Sequence, residues 1–199
     1  MRSETHGLTT RARIARSALA LFDDQGVDST SVAQICRHAG VSNGSFFHAF
    51  ANRERLCSAL YLDALDSYHR AMVAALADDP DAARGIAALV TAHLDWVVNE
   101  RAQSRFLFAQ ARADWLDTAE SRQAQKQENA RFADSLGRWR LSRESEGELD
   151  PLAPGMFIAQ LIGPAQILCR AWLAGRIAAD PREEADTLIA CARRVLLPG

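Results

Sequence analysis

Apolar side chains recur at three- and four-residue intervals along almost the whole chain, and no stretch alternates as a half-buried strand would. The pattern predicts an all-α protein of about nine helices. The first covers about residues 10–24, with Ile14, Ala18, Leu21 and Phe22 on one face and Gly26 as its stop. The second is 31-SVAQICRHAG-40. Ser31 and Gln34 have capping-box spacing, Val32, Ile35, Cys36 and Ala39 form an apolar stripe, and Gly40 ends the helix because it can take positive φ. Only Val41 separates that glycine from Ser42, the next N-cap. A long helix then runs from Arg53 to about residue 77, where ADDPD breaks it. Helices follow at about 82–99, 101–116 and, more polar, 118–143. Beyond an acidic loop at 144–151, two apolar helices at about 154–175 and 182–197 close the pattern, the first expected to kink at Gly163-Pro164.

The segment 40-GVSNGSFFHAF-50 is the most informative. Two short helices joined by a tight glycine turn, behind a longer supporting helix, make a helix-turn-helix unit. Val41 plugs the angle between them. Phe46 and Phe50, four apart, pack back onto Ile14, Leu21, Phe22 and Ile35, which leaves Asn43, Ser45, Phe47 and His48 facing outward. The N-terminal half of such a second helix is the part presented to the major groove.

Charge supports that placement weakly. The net charge is −2, yet residues 1–56 hold seven arginines against five acids, while the rest holds sixteen basic against twenty acidic residues. Cys36, Cys57, Cys169 and Cys191 are scattered without C-x-x-C or zinc-type spacing and read as reduced, mostly buried small side chains. No metal or cofactor is expected. There is no G-x-S-x-G elbow, glycine-rich phosphate loop or H-E-x-x-H, so nothing points to an enzyme. Arg11, Arg13 and Arg16 interrupt the start where a secretion signal would be apolar, and no uninterrupted apolar run reaches about 18 residues. A cytoplasmic protein without a membrane span is expected.

The stretch 13-RIARSALALFDDQGVDSTSVAQICRHAGVSNGSFFHAFANRERL-56 resembles the tetracycline-repressor-like (TetR/AcrR) transcriptional regulators. The resemblance rests on the alanine-rich first helix ending in Leu-Phe, Gly26-Val27, the Ser-Thr-Ser-Val entry, Ala39-Gly40-Val41-Ser42, Gly44-Ser45, and Phe50 followed by Arg53-Glu54. More loosely, 163-GPAQILCRAWLAGR-176 is similar to a penultimate helix at which many members dimerise. The resemblance implies a DNA-binding domain over 1–52 and a helical effector-binding and dimerisation domain over 53–199. It implies a homodimeric repressor on a palindromic double-stranded DNA operator, released by a small-molecule effector. Symmetric dimers suit palindromes with half-sites about 34–36 Å apart, or a multiple of that.

Carried over residue by residue, Asn43 and Ser45 match positions used at base edges or phosphates; Asn suits bidentate contact with adenine. Arg53 stands where the family's phosphate-gripping lysine does. Phe47 departs from the usual tyrosine, losing a hydroxyl that bonds phosphate, and Ala49 departs from a frequent polar residue. His48 lies on the outward arc within reach of a phosphate. Ser31 caps the second helix and can touch a phosphate, and Gln34 faces the groove if that helix tips inward. Arg11 and Arg13 either reach flanking phosphates or belong to a disordered arm.

In the larger domain Met72, Trp96, Phe106, Trp115, Met156 and Phe157 are candidates for a mostly apolar effector cavity, with His69, His93 and Gln160 as its polar contacts. Packing within the core is the competing account. Phe157, Leu161, Leu168, Trp172 and Leu173 with Leu188, Ile189, Val195 and Leu196 are candidates for a four-helix dimer interface. A second functional reading stays open: a helical sensor or adaptor with weakened or lost DNA binding, kept alive by Phe47 and Ala49.

Overall fold

The computed structural model describes residues 9–111 and 118–199, and these contain nine α-helices and no strand. The helices are α1 (Thr10–Gln25), α2 (Val32–Ala39), α3 (Asn43–Ala49), α4 (Arg53–Ala74), α5 (Ala82–Asn99), α6 (Arg101–Ala109), α7 (Ala119–Ser145), α8 (Pro154–Leu173) and α9 (Ala185–Leu196). The all-α, nine-helix expectation holds. Its boundaries shift in places. α4 stops at Ala74 and the chain turns through Asp79, whose φ of 45° lies outside the helical region. α6 closes at Ala109 instead of near 116. A 3-10 turn over Pro181–Glu184 precedes α9, opened by the Asp180 carboxylate accepting from the Arg182 amide. α8 continues through Pro164.

The chain forms two compact units: residues 1–64 with 102–123, and residues 65–101 with 124–199. In the first, α1, α2 and α3 pack on one another. Each begins at a side-chain cap, because the first amides of a helix lack partners within it. Thr9 caps α1, Ser31 and Gln34 form a reciprocal box on α2, and Ser42 caps α3. Gly40 ends α2 at φ 63°, the left-handed conformation that lets the chain turn at once into α3. The core collects Ile14, Ala18, Phe22, Ile35, Phe46, Phe50, Leu56 and Phe106, with Phe22 stacked on Phe106 at 5.6 Å between centroids.

In the second unit α5 is buried on most sides and packs against α8 and α9. Two latches hold its first turn: Arg193 Nη2 donates to the Ala83 carbonyl at 2.7 Å, and the Glu148 carboxylate accepts the Ala82 amide at 2.8 Å. Trp139 of α7 lies across Gly85 of α5. By length and composition α8 would pass for a membrane span; Phe157, Leu161, Ile162, Ala165, Cys169 and Leu173 bury one face of it in this unit. Burial pushes the Cys57 and Cys169 thiols up, to about 11 and about 12, so they behave as the small apolar side chains expected.

Candidate nucleic-acid interface

α3 is only seven residues long, and two constraints fix it. The Ser42 Oγ accepts the Ser45 amide at 3.1 Å, and Phe46 and Phe50 are buried beneath it. Phe47 sits edge-on to Phe46 at 5.3 Å and is itself 54% exposed. Asn43 and His48 are exposed beside it. Phe46 and Phe50 thus anchor the helix, while Asn43, Phe47 and His48 stay exposed.

The remaining DNA candidates sit differently. The Ser45 hydroxyl lies 2.9 Å from the Ser42 hydroxyl, inside the cap. Gln34 Oε1 accepts from both the amide and the hydroxyl of Ser31, at 2.7 and 2.8 Å, while its Nε2 donates to Gln25 Oε1 at 3.4 Å. Both side chains thus shape the helix starts. Arg53, half-buried, donates to the Val27 carbonyl just past α1. Arg11 and Arg13 are not in a loose arm: both lie in α1 and donate to carbonyls of other helices.

The effector candidates are divided between the two units. Met72, His93 and Trp96 are buried in the second unit. There Tyr68 is their centre: its hydroxyl is 3.1 Å from His93 Nδ1 and its ring meets Trp96 at 5.1 Å between centroids. Trp96 Nε1 donates to Ser67 Oγ at 3.1 Å. Burial holds the His93 imidazole down to about 4, hence neutral at pH 7. His69 pairs with Glu128 at 3.1 Å and stacks flat on Phe132 at 4.3 Å. Tyr68, Ser67, Glu128 and Phe132 were not in the expected site; Tyr68 falls on an apolar register that hides its hydroxyl's role. Phe106 belongs to the first unit, Met156 is half exposed on α8 with Gln160 bonded to its Sδ at 3.6 Å, and Trp115 lies outside the described residues. Among the described residues, no group of three or more His, Cys, Asp or Glu side chains is placed to hold a metal ion.

The dimer candidates also divide. Phe157 and Leu161 are buried in their own unit's core. Trp172 is half-buried under the Arg101 guanidinium at 4.6 Å, Ile189 is half-buried, and Leu168 and Leu188 line a groove of about 380 Å³ beside Ile177 and Pro181. The apolar side chains of α8 and α9 that do face outward are Met156, Ile158, Val195 and above all Ile167, 73% exposed.

With this geometry in place, comparison with known proteins is informative. Residues 14–60 match the model for bacterial regulatory proteins of the tetR family. The HTH-type transcriptional regulator UidR of Escherichia coli (strain K12) is 34% identical over 59 residues, a match spanning 30% of this chain and 30% of that protein. A tetR-family bacterial regulatory protein from Rhodococcus RHA1 superposes with a TM-score of 0.80 at 20% identity, over 96% of this chain and 99% of that one. A TetR-family transcription regulator from Marinobacter aquaeolei VT8 gives 0.77 at 18% identity, over 96% of both chains. The solved structures share the fold of the described residues, and the family match is confined to residues 14–60. Residues 14–60 are thus similar to the helix-turn-helix segment of tetR-family bacterial regulatory proteins.

Proposed function

We propose that the protein is a transcriptional repressor that binds a palindromic DNA operator as a homodimer and releases it when a small, largely apolar molecule binds. In this reading residues 1–52 bind DNA and residues 53–199 bind the effector and dimerise. The observation that carries it is α3, a helix fixed in the core by Phe46 and Phe50 while Asn43, Phe47 and His48 stand exposed. Side chains at the start of a recognition helix read base edges: Asn pairs with adenine, and an aromatic ring packs on a thymine methyl. Ile167 and Val195, exposed on α8 and α9, support a dimer through those helices. The aromatic Tyr68–Trp96 cluster with its His93 and Ser67 polar groups supports an apolar effector. Phe47 favours the alternative, a sensor without DNA binding, because it has no hydroxyl for a phosphate.

Selection from a random-sequence duplex pool tests the reading. The purified protein should enrich a palindrome, and anisotropy on that duplex should show affinity falling steeply as salt rises from about 50 to 200 mM. Asn43→Ala should relax preference at one base position by about 1–3 kcal/mol. Phe47→Tyr should tighten operator and shuffled duplex alike by about 0.5–1.5 kcal/mol, one neutral hydrogen bond. Equal, feeble binding to every duplex, unchanged in Phe47→Tyr, would leave the sensor reading.

A further inference from the structure

Three arginines in the first unit are turned onto backbone carbonyls, two of them at helix ends. Arg11 Nη1 donates to the carbonyl of Ala49, the last residue of α3, at 2.7 Å, and its guanidinium lies 4.1 Å from the centroid of the Phe50 ring. Arg13 Nη2 donates to the Ala39 and Gly40 carbonyls, at 2.6 and 3.0 Å, where α2 ends. Arg53 donates to the Val27 carbonyl in the turn beyond α1, which also accepts the Thr30 amide. The last carbonyls of a helix lack partners within it and carry the negative end of its dipole, so a guanidinium satisfies both the hydrogen bonds and the charge. At Arg11 the chemistry favours arginine: a planar fork donates to a carbonyl while its face lies on a ring, whereas lysine offers a point charge. Gly40 contributes as well, since a Cβ there would stand 3.2 Å from Arg13 Nη2.

We propose that Arg11 and Arg13 are positioning residues for the recognition helix: from α1 they close the ends of α3 and α2, and so fix the register in which Asn43, Phe47 and His48 meet base edges. They do not neutralise phosphates. The functional consequence rests on the DNA-binding reading above; the capping itself does not.

The test uses the full chain with Arg11→Lys and Arg13→Lys, which keep the charge and lose the fork. The probes are the duplex selected by the parent protein and its shuffled counterpart. Arg11→Lys should lose about tenfold of its preference for the selected duplex, the factor that one charge-assisted hydrogen bond commands. Its salt slope should match the parent's, because the same number of counterions is released. Without DNA, amide exchange at Ala49 and Phe50 should accelerate as the last turn of α3 frays. Parent-like binding by Arg11→Lys, with a salt slope about one unit shallower in Arg11→Met, would identify a phosphate contact and overturn the proposal. A lowered melting temperature with preference and slope at parental values would overturn it too, as mere stabilisation. Should Arg13→Lys fold poorly, the exposed Arg11 carries the test. Should the parent select no duplex, the DNA-binding reading fails, and exchange at Ala49 and Phe50 decides the capping alone: parental rates overturn it.

Discussion

Gly85→Ala is expected to destabilise the protein by about 3 kcal/mol or more, the upper end of what overpacking a core costs. Elsewhere in a helix the same change would stabilise by about 1 kcal/mol, because alanine is the better helix former. Here sterics win. A Cβ on Gly85 would lie 2.1 Å from Trp139 Cζ2, 2.8 Å from Cε2 and 2.9 Å from Cη2, where carbon atoms normally rest about 3.5–4.0 Å apart. The indole cannot step aside cheaply, since it is only 5% exposed and its Nε1 donates to the Pro80 carbonyl at 2.9 Å. Urea unfolding at pH 7.5 would measure the loss. Trp139→Leu removes the obstacle, so adding Gly85→Ala to that background should be neutral or slightly stabilising. Gly85→Ala melting like the parent would mean that α7 does not cross α5 at this point.

That contact also marks where the sequence stops being legible. Periodicity, caps and breakers locate helices, and the caps Ser31 with Gln34 and Ser42, and the stop at Gly40, are local features read directly from spacing. Gly85 within an apolar helix reads only as a weak helix former, because its reason for being glycine is a tryptophan on another helix. The ends that moved have similar causes. Nothing local announces that α6 closes at Ala109, while the 3-10 turn before α9 follows from Pro181 and the Asp180 cap.

The candidate site shows the same division. In α3 the pattern separates a buried face, Phe46 and Phe50, from the exposed Phe47 and His48, since burial there depends on spacing alone. Side chains with two uses are not decided by spacing. Gln34, Ser45, Arg11, Arg13 and Arg53 can each touch DNA or tie the fold together, and in the structure all five hold an internal hydrogen bond. α8 carries apolar side chains on most of its circumference, so its hydrophobicity alone cannot separate the core residues Phe157 and Leu161 from the outward Ile167. Phe106 shares composition with Met72 and Trp96 but belongs to the other unit, with its ring stacked on Phe22. Only the packing partner distinguishes them.

Acidification should weaken the fold most steeply through His93. The imidazole is fully buried, 3.1 Å from the Tyr68 hydroxyl, and burial lowers its pKa from 6.5 to about 4. Between those values the unfolded chain binds a proton that the folded chain does not. The stability His93 contributes by staying neutral is therefore complete above about pH 6.5, falls as pH drops through that window, and is lost by about pH 4. At 1.36 kcal/mol per pKa unit the loss comes to about 3 kcal/mol, a large fraction of a typical folding free energy. His69 adds in the same direction, lowered by burial against the opposing pull of Glu128. Urea midpoints at pH 7.5 and pH 4 separate His93 from the carboxylates that titrate over the same range. His93→Gln should be less stable than the parent at pH 7.5, because a buried hydrogen bond and its packing are disturbed, yet lose about 3 kcal/mol less than the parent on going to pH 4. Equal losses in the two proteins would mean that His93 gains its proton without unfolding, and that the Tyr68–His93 contact opens to water in the folded state.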